Sequence, residues 1–336
     1  MNIVCCTDHN YIMPTGVMLC SVCVNHPDIV VTFWVICNSD VTEEDKSDLR
    51  EIALKYKHRI KFIAAPTYTK ETECFTINKK GQPKHITIAA YYRLFLAEVL
   101  PNNIDKVIYL DGDIVVRHSL QEMYATNIDN DAIAAVTDMD EGEIQKFNNL
   151  RYEPELGYFN SGVLLINLKY WRTQNLLQNF IDFATEYPEQ IKFHDQDILN
   201  YVLRESKQSL HLKYNVQDGF FKKVPNISWK YERELKEAIN DPFIVHFTCG
   251  GANKPWYKGC EVPYKEEFIK YRNLTKWKDM PLLTISLSVK SKIKWFVKKM
   301  LIAMGIITKP ENKYILIESK KTKINVSQSF YNSSCL

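Results

Sequence analysis

Short apolar runs alternate with amphipathic segments over the first third of the chain. Apolar runs of about four to eight residues are typical of buried strands, and apolar residues that recur about every three or four positions are typical of helices. The pattern predicts strands at 2–6, 30–37, 60–65 and 107–116, and helices at 14–26, 42–57 and 87–100. Strands that are apolar on both faces and alternate with helices favour a mostly parallel sheet covered by helices, which is the α/β class.

The second half of the chain has a less regular pattern. It predicts strands at 132–139, 158–168 and 243–250, and helices at 170–187 and 195–204. The polar segment 66–85 is predicted to be a loop that closes over the site as a lid, and 140–157 is predicted to be a second loop. Because no repeat or low-complexity linker interrupts residues 1–280, we expect them to form one doubly wound domain.

A basic and apolar tail follows at 281–336. Five lysines fall within ten residues of this tail without an acidic residue: Lys290, Lys292, Lys294, Lys298 and Lys299. Apolar residues lie among and after them, including the aromatic Trp295 and Phe296. We predict an amphipathic helix on an anionic membrane surface, where each lysine contributes about 1 kcal/mol. The alternative is a helix that packs on the main domain and leaves its lysines in solvent.

Composition narrows the classes of function. A net charge of +3, with no basic stripe in the first 280 residues, argues against a nucleic-acid partner. The N-terminus shows no basic and apolar leader, and no apolar run reaches the roughly 18 residues of a membrane span. The nine cysteines form no paired framework and are predicted to be buried thiols. We therefore expect a cytoplasmic protein, peripheral at the inner face of the cytoplasmic membrane if the tail binds lipid.

Two carboxylates interrupt the most hydrophobic stretch of the chain, VIYLDGDIVV at 107–116. A buried carboxylate needs a proton, an opposite charge or a metal ion. Ligands of open α/β sheets bind beyond the carboxyl ends of the strands, where Asp111 and Asp113 would lie, and Gly112 lets a ligand approach the backbone. The pair can therefore hold one divalent ion that binds a diphosphate. The alternative is a turn with two solvated acids.

A third metal ligand is predicted at His246, at the end of the apolar run FIVHF. Gly250, Gly251 and Lys254 follow, and backbone N–H groups and an ammonium suit phosphate oxygens. Two carboxylates and an imidazole fit Mn(II) better than an oxygen-only cage does. The alternative is a histidine that is satisfied within the core.

Six segments, in order, resemble glycosyltransferase family 8, and the bacterial lipopolysaccharide and lipooligosaccharide branch more closely than the glycogenin branch. They are NIVCCTDHNY, ITIAAYYRLFLAEVLP, KVIYLDGDIVV, YFNSGVLLINLKYWR, HDQDILN and HFTCGGANKPW. The resemblance implies one Rossmann-like nucleotide-sugar transferase domain. It also implies retaining transfer of a hexose from UDP-glucose or UDP-galactose to a saccharide acceptor, such as a surface glycan or lipopolysaccharide precursor, with Mn(II) or alternatively Mg(II).

The resemblance also implies a role for each site residue. It implies metal ligands at Asp111, Asp113 and His246, and a catalytic group of Asp138, Asp195 and Gln196 around the donor sugar. It implies donor contacts from Thr7, Asp8, Asn10, Tyr11, Arg93, Asp111, Gly112, Asn160, Ser161, Gly162, Gly250, Gly251 and Lys254.

Two other functions stay open at this point. A metal-dependent phosphohydrolase could use the same aspartate pair, although no DxDxT-like or histidine-rich motif is present. A non-catalytic UDP-sugar-binding protein would keep the fold without the chemistry. For the transferase, we hypothesise that the acceptor attacks from the face that UDP leaves, because Gln196 is a poor nucleophile.

Overall fold

The structure is a computed structural model that describes residues 1–66, 72–75 and 88–284, and from the tail 296–297, 300–301, 304 and 313–315. Most of the predicted lid at 66–85 and most of the predicted tail helix therefore lie outside the described residues. Within the described part of the chain, no helix has both the length and the apolar character needed to cross a membrane.

A seven-stranded sheet forms the centre of the molecule, and a three-stranded sheet lies beside it. The strands are β1 (Asn2–Thr7), β2 (Thr32–Cys37), β3 (Arg59–Ala64), β4 (Lys106–Leu110), β5 (Ile114–Val116), β6 (Ile133–Thr137), β7 (Phe159–Asn167), β8 (Lys207–Ser209), β9 (Val216–Gln217) and β10 (Ile244–His246). The large sheet has the order β3-β2-β1-β4-β7-β6-β8, and the small sheet has the order β5-β10-β9. In the large sheet only β7 is antiparallel to its neighbours. The predicted α/β class with a mostly parallel, Rossmann-like sheet is confirmed.

Helices cover both faces of the large sheet. They are α1 (Ile12–Val24), α2 (Glu43–Lys55), α3 (Leu96–Val99), α4 (Gln121–Ala125), α5 (Ile144–Leu150), α6 (Leu168–Thr173), α7 (Leu176–Glu186), α8 (Asp195–Val202), α9 (Glu232–Asn240) and α10 (Lys265–Arg272). Successive residues of a strand face opposite sides, so Ile3 of β1 packs with α1 and α2 while Val4 packs with α6 to α8. The two resulting apolar clusters fix the sheet between the helix layers.

The run 107–116, predicted as one strand, forms two strands in different sheets. Asp111, Gly112 and Asp113 form the turn between β4 and β5. The backbone N–H of Asp111 still donates to the carbonyl of Gly162 at 2.9 Å, after which the chain crosses to β10 of the small sheet. The polar triplet therefore marks the point where the chain changes sheets, with apolar strands on both sides.

Three further predictions were wrong in detail. The helix predicted at 170–187 is broken, because Asn175 adopts a left-handed backbone (φ +49°) that ends α6 and begins α7. The loop predicted at 140–157 contains α5, whose Phe147 and Leu150 are buried. The helix predicted at 87–100 is mostly a 3₁₀ helix, Ile88–Phe95, that continues into the short α3.

Candidate active site

A cavity of about 740 Å³ opens at the carboxyl ends of β1 and β4, beside the start of β7. The predicted site residues that line it are Thr7, Asp8, Asn10, Tyr11, Arg93, Asp111, Gly112, Asp113, Asn160, Ser161, Gly162, Asp195, Gln196, His246, Gly250 and Lys254. Two predicted residues do not line it: Asp138 lies one hydrogen bond behind the wall, and Gly251 lies in the adjoining loop. The fold thus brings together six separate stretches of sequence.

Asp111, Asp113 and His246 converge on one point of the cavity wall. The Nε2 atom of His246 lies 3.3 Å from Oδ1 of Asp113 and 3.8 Å from Oδ2 of Asp111. One ligand atom from each residue lies within 4.8 Å of the other two. The turn after β4 supplies both carboxylates, and β10, paired with β5, supplies the imidazole.

A chain of hydrogen bonds fixes which nitrogen of His246 carries the proton. The backbone N–H of Gly162 donates to the side-chain atom Oδ1 of Asn160, so that atom is an oxygen. Asn215 must then donate its Nδ2 to the same oxygen, at 2.9 Å, and turn its own Oδ1 towards Nδ1 of His246, at 3.0 Å. Nδ1 of His246 therefore donates to Asn215, and Nε2 is the ring atom that faces the two carboxylates and can bind a metal ion. This donor set and its supporting amide are suited to a divalent metal ion.

Gly162 lies directly beneath these ligands. A Cβ atom there would lie 2.2 Å from Cε1 of His246 and 2.6 Å from Oδ2 of Asp111. Such contacts are far shorter than any van der Waals separation, so only glycine permits the present spacing of the two ligands. Gly162 was predicted as a donor contact, and its position shows that it also sets the spacing of the ligands.

Lys254 provides the charge that opposes Asp113. Its Nζ donates to Oδ2 of Asp113 and to the carbonyl of Phe247. Burial alone would raise the pKa of the Asp113 carboxyl, but Lys254 and His246 outweigh burial and hold that pKa well below its usual range. Burial likewise opposes the charge of Lys254, and Asp113 nevertheless raises the lysine pKa. Asp113 is therefore ionised at any physiological pH.

Arg93 joins the metal ligands to the opposite wall. Its Nη2 lies 2.9 Å from Oδ1 of Asp111, its Nε lies 3.1 Å from Oδ2 of Asp195, and its Nη1 donates to the carbonyl of Ser161 at 2.6 Å. Tyr109 adds a hydrogen bond of 2.8 Å to the same oxygen of Asp111. Arg93 is buried, and its one positive charge is shared by the two carboxylates that contact it.

Asp195 and Gln196 begin α8 and face the cavity. Burial raises the pKa of Asp195 to about 6, although Arg93 opposes the shift. Gln196 uses its whole amide: Oε1 accepts from the N–H of Ser161 at 3.0 Å, and Nε2 donates to Oδ2 of Asp138 at 3.2 Å. These bonds fix the orientation of the glutamine amide at the wall.

Asp138 is held by a partner that the sequence did not indicate. Lys146 of α5 lies 2.5 Å from its Oδ1, and both side chains are buried. Asn160 donates to the other carboxylate oxygen at 3.3 Å. The ammonium of Lys146 also lies 4.7 Å from the ring centroid of Tyr158. Because 140–157 was predicted as a loop, Lys146 received no role from its sequence position.

His194 precedes Asp195 in a strained backbone conformation. Its φ of +54° and ψ of −129° lie in a region that is nearly restricted to glycine, at a cost of about 1–3 kcal/mol. The buried ring packs edge-on against Tyr91, with Nδ1 3.4 Å from the tyrosine hydroxyl. Tyr91 lies on the same 3₁₀ helix as Arg93, so two contacts hold the start of α8 against that helix.

The segment that follows β1 forms one end of the cavity. Asp8 accepts from the N–H of Tyr11 at 3.1 Å and fixes the turn there, and the hydroxyl of Tyr11 donates to Asp113 at 3.3 Å. The ring of Tyr11 meets Trp256 edge-on at 5.6 Å. Trp256 and Tyr257 line the cavity and were not predicted, although Trp256 ends the HFTCGGANKPW segment and Tyr257 follows it.

Comparison with known proteins identifies the class of this fold and site. A family model described as Glycosyl transferase family 8 matches residues 2–260. General stress protein A of Bacillus subtilis (strain 168) is 31% identical over 281 residues, which are 82% of this chain and 94% of that protein. Lipopolysaccharide 1,3-galactosyltransferase of Salmonella typhimurium (strain LT2) is 28% identical over 288 residues, which are 82% and 79% of the two chains.

A solved structure agrees with the sequence relatives. The crystal structure of the galactosyltransferase LgtC in complex with donor and acceptor sugar analogs aligns with a TM-score of 0.72 and 26% identity, and it covers 88% of this chain and 100% of that one. The fold and the site together define a glycosyltransferase. This chain belongs to glycosyltransferase family 8.

Proposed function

We propose that this glycosyltransferase is a retaining, Mn(II)-dependent enzyme that moves glucose or galactose from a UDP-sugar to a saccharide acceptor. The observation that carries the proposal is the convergence of Asp111, Asp113 and the Nε2 atom of His246 on a cavity that also contains Arg93 and Lys254. A phosphohydrolase has no need of the carboxylate and amides of Asp195, Gln196 and Asn160 on the other side of this cavity, and a binding protein is distinguished by the turnover test below.

Asp111, Asp113 and His246 would hold the metal ion. When it is bound, Mn(II), or alternatively Mg(II), supplies a Lewis acid that offsets the negative charge gained by the departing UDP. The imidazole ligand favours Mn(II) over Mg(II), which prefers oxygen ligands. Asn215 maintains the histidine tautomer that this ligation needs.

The chain itself provides positive charge for the diphosphate. Lys254 is buried at the cavity wall and kept protonated by Asp113, so its ammonium is already in place before UDP-sugar binds. Gly250 lines the cavity beside it, and Gly251 has a left-handed backbone (φ +63°) that turns the loop there. Fixed charges and N–H groups of this kind stabilise a leaving phosphate without reorganisation.

The opposite wall would orient the hexose. Asp138 and Asp195 would accept hydrogen bonds from sugar hydroxyls, and Asn160 and Ser161 would contact the ring. Thr7, Asp8, Asn10 and Tyr11 would hold uracil and ribose after β1.

The contacts of Gln196 and Asp195 support attack from the face that UDP leaves. Both ends of the Gln196 amide are engaged in hydrogen bonds, so the side chain is not free to attack carbon. Asp195 is paired with Arg93 and accepts from the hydroxyl of Ser161, which lowers its nucleophilicity. With neither side chain as nucleophile, retention requires the acceptor to approach on the side of the leaving group.

A surface glycan or lipopolysaccharide precursor is the acceptor that we propose. The lipopolysaccharide 1,3-galactosyltransferase relative supports it by its activity. The lysines of the tail support a place at the inner face of the cytoplasmic membrane, because such lysines attract anionic lipid. Among the described tail residues, Phe296, Val297, Met300 and Met304 are exposed apolar side chains.

Calorimetry with UDP, with and without Mn(II), tests the donor site first. We expect tight binding only with the metal ion. Product analysis with UDP-glucose and UDP-galactose then tests transfer, and the anomeric configuration of the product tests retention. Free sugar that forms at the same rate with and without acceptor would indicate a hydrolase, and binding without turnover for any acceptor would indicate a binding protein. A sugar trapped covalently on Asp195 or Gln196 would refute attack by the acceptor on the leaving-group face.

A further inference from the structure

Two pieces of the C-terminal tail pair with the catalytic domain. The N–H of Leu283 donates to the carbonyl of Trp256 at 2.8 Å, and the N–H of Lys258 donates to the carbonyl of Leu283 at 3.0 Å. The side chain of Leu283 lines the cavity. Thirty-one residues further on, Tyr314 forms an antiparallel bridge with Lys222. The tail therefore contributes to the walls of the site and is attached to the domain at two places.

Tyr314 is buried as completely as the centre of the core. Only 1% of its surface is exposed, and it belongs to the apolar cluster that contains Phe220 and Phe221. The N–H of Ile315 donates to the carbonyl of Phe221 at 2.8 Å. The N–H of Lys223 likewise donates to the carbonyl of Lys313 at 3.0 Å, so hydrogen bonds attach the segment 313–315 to the chain directly after Asp218–Phe221.

Asp218 connects this packing to the loop 248–254. Its carboxylate is wholly buried, and it accepts from the hydroxyl of Thr248 and from the N–H of Cys249 at 3.1 Å. A buried carboxylate forms strong hydrogen bonds with its donors. If those donors moved away, the carboxylate would have lost its hydration and gained no hydrogen bonds in return. The same loop continues to Gly250 and Lys254 at the cavity wall.

The residue before Asp218 supports two other parts of the site. Gln217 pairs with His246 across β9 and β10. Its amide accepts from the N–H of Met139 at 2.8 Å and donates to the carbonyl of Thr137 at 2.9 Å, on either side of Asp138. The segment 216–221 is thus the common support of the metal histidine, of Asp138 and of the loop 248–254.

We propose that Tyr314 is a positioning residue for the donor site. By filling the core behind 216–221, the returning segment 313–315 holds Asp218 against Thr248 and Cys249 and so fixes the loop that faces the diphosphate. This inference rests on the proposed function for the identity of the ligand, but the contacts that it describes exist without one.

Two measurements on the whole chain and its variants test the proposal. Calorimetry measures the affinity for UDP with Mn(II), and hydrogen exchange without ligand measures the protection of the amides of 248–258. For Tyr314→Ala and for a chain that ends at residue 312, we expect UDP affinity to fall about tenfold or more and exchange in 248–258 to accelerate. Tyr314→Phe and a chain that ends at residue 316 should stay within about twofold of the full chain.

Phe180→Ala is the matched control, because Phe180 is equally buried but lies in the other apolar cluster. It should lower the unfolding temperature as Tyr314→Ala does, and leave UDP affinity and exchange in 248–258 unchanged. If Tyr314→Ala behaves in the same way as this control, Tyr314 has a merely structural role and the proposal is overturned. If the full chain fails to bind UDP while Tyr314→Ala still accelerates exchange in 248–258, the proposed function fails and the positioning role stands.

Discussion

The two ends of the cavity shift the pKa of a buried carboxylate in opposite directions. Asp113 lies at the end that we propose for the metal ion (the metal end), beside the ammonium of Lys254 and the imidazole of His246, and its pKa falls well below the usual range. Asp195 lies at the end that we propose for the sugar (the sugar end) and shares the charge of Arg93 with Asp111, and burial raises its pKa to about 6. Both carboxylates are buried. The difference therefore comes from the number of positive groups available to each, which decides whether a carboxylate is ionised before a ligand arrives.

Asp113→Ala should have the largest effect, and on two separate quantities. Transfer should fall by about 1000-fold or more, because one metal ligand is lost. The free energy of unfolding should also fall, by about 3 kcal/mol, because the buried Lys254 loses its counter-charge. Initial rates and urea unfolding without metal measure the two effects.

The double variant Asp113→Ala/Lys254→Met separates the loss of transfer from the loss of stability. It should recover most of the stability, since no unpaired charge is left, and none of the activity. A single variant as stable as the native chain would show that the pairing of Asp113 with Lys254 is not what keeps this end ionised.

Gly162→Ala should weaken metal binding without changing the charges at the metal end. The added Cβ would overlap His246 and Asp111 and push the ligands apart. Affinity for Mn(II) should fall about 10–100-fold, as it does when the support of a metal ligand is altered. Gly259→Ala is the matched control, because its nearest neighbour would lie at 3.5 Å. Equal Mn(II) affinities for the two variants would contradict the role given to Gly162.

Lys146→Met should affect only the sugar end. Asp138 would lose its buried counter-charge and one fixed hydrogen bond, so kcat/KM should fall about 30-fold, which is about 2 kcal/mol. Affinity for UDP with Mn(II) should not change, because Lys146 has no contact with the metal end among the described residues. The exposed Lys169→Met serves as the control. A parallel loss of UDP affinity would mean that the two ends are not independent.

The smallest expected effect is a decrease of the transfer rate at low pH, caused by protonation of Asp195. With a pKa of about 6, Asp195 is mostly protonated at pH 5, so transfer should be about tenfold slower there than at pH 7.5. Between about pH 4 and 6 the folded chain keeps a proton that the unfolded chain has released, so the stability from this group falls as pH rises. Asp195→Asn should flatten the trend of unfolding temperature in that window. If the trend of unfolding temperature is unchanged in this variant, a group other than Asp195 titrates in that window.

The sequence predicted the metal end more completely than the sugar end. Asp111, Asp113, His246 and Lys254 stand beside apolar strands or glycines, and a polar residue at the end of a buried strand is visible in one sequence. The strands that carry them alternate with helices, so their carboxyl ends could be expected to meet.

The supports of the site could not be predicted in this way. Asn215 and Asp218 act on groups 31 residues away along the chain, and Lys146, although only eight residues from Asp138, lies in a segment that was predicted to be a loop. The break at Asp111–Asp113 between two sheets also has no signal in the apolar run, because both halves are equally buried. Pairing of β5 with β10 is a long-range contact that local pattern does not encode.

The tethering of the tail at Leu283 and at Tyr314 limits how far the stretch between them can travel. The stretch between them is attached at one end through Leu283, which lines the cavity, and at the other end through Tyr314, which pairs with Lys222. If this stretch binds a lipid surface, that surface can lie no farther from the cavity than half the length of the fully extended stretch, which is roughly 50 Å. An acceptor on that surface would therefore stay within the same distance of the cavity.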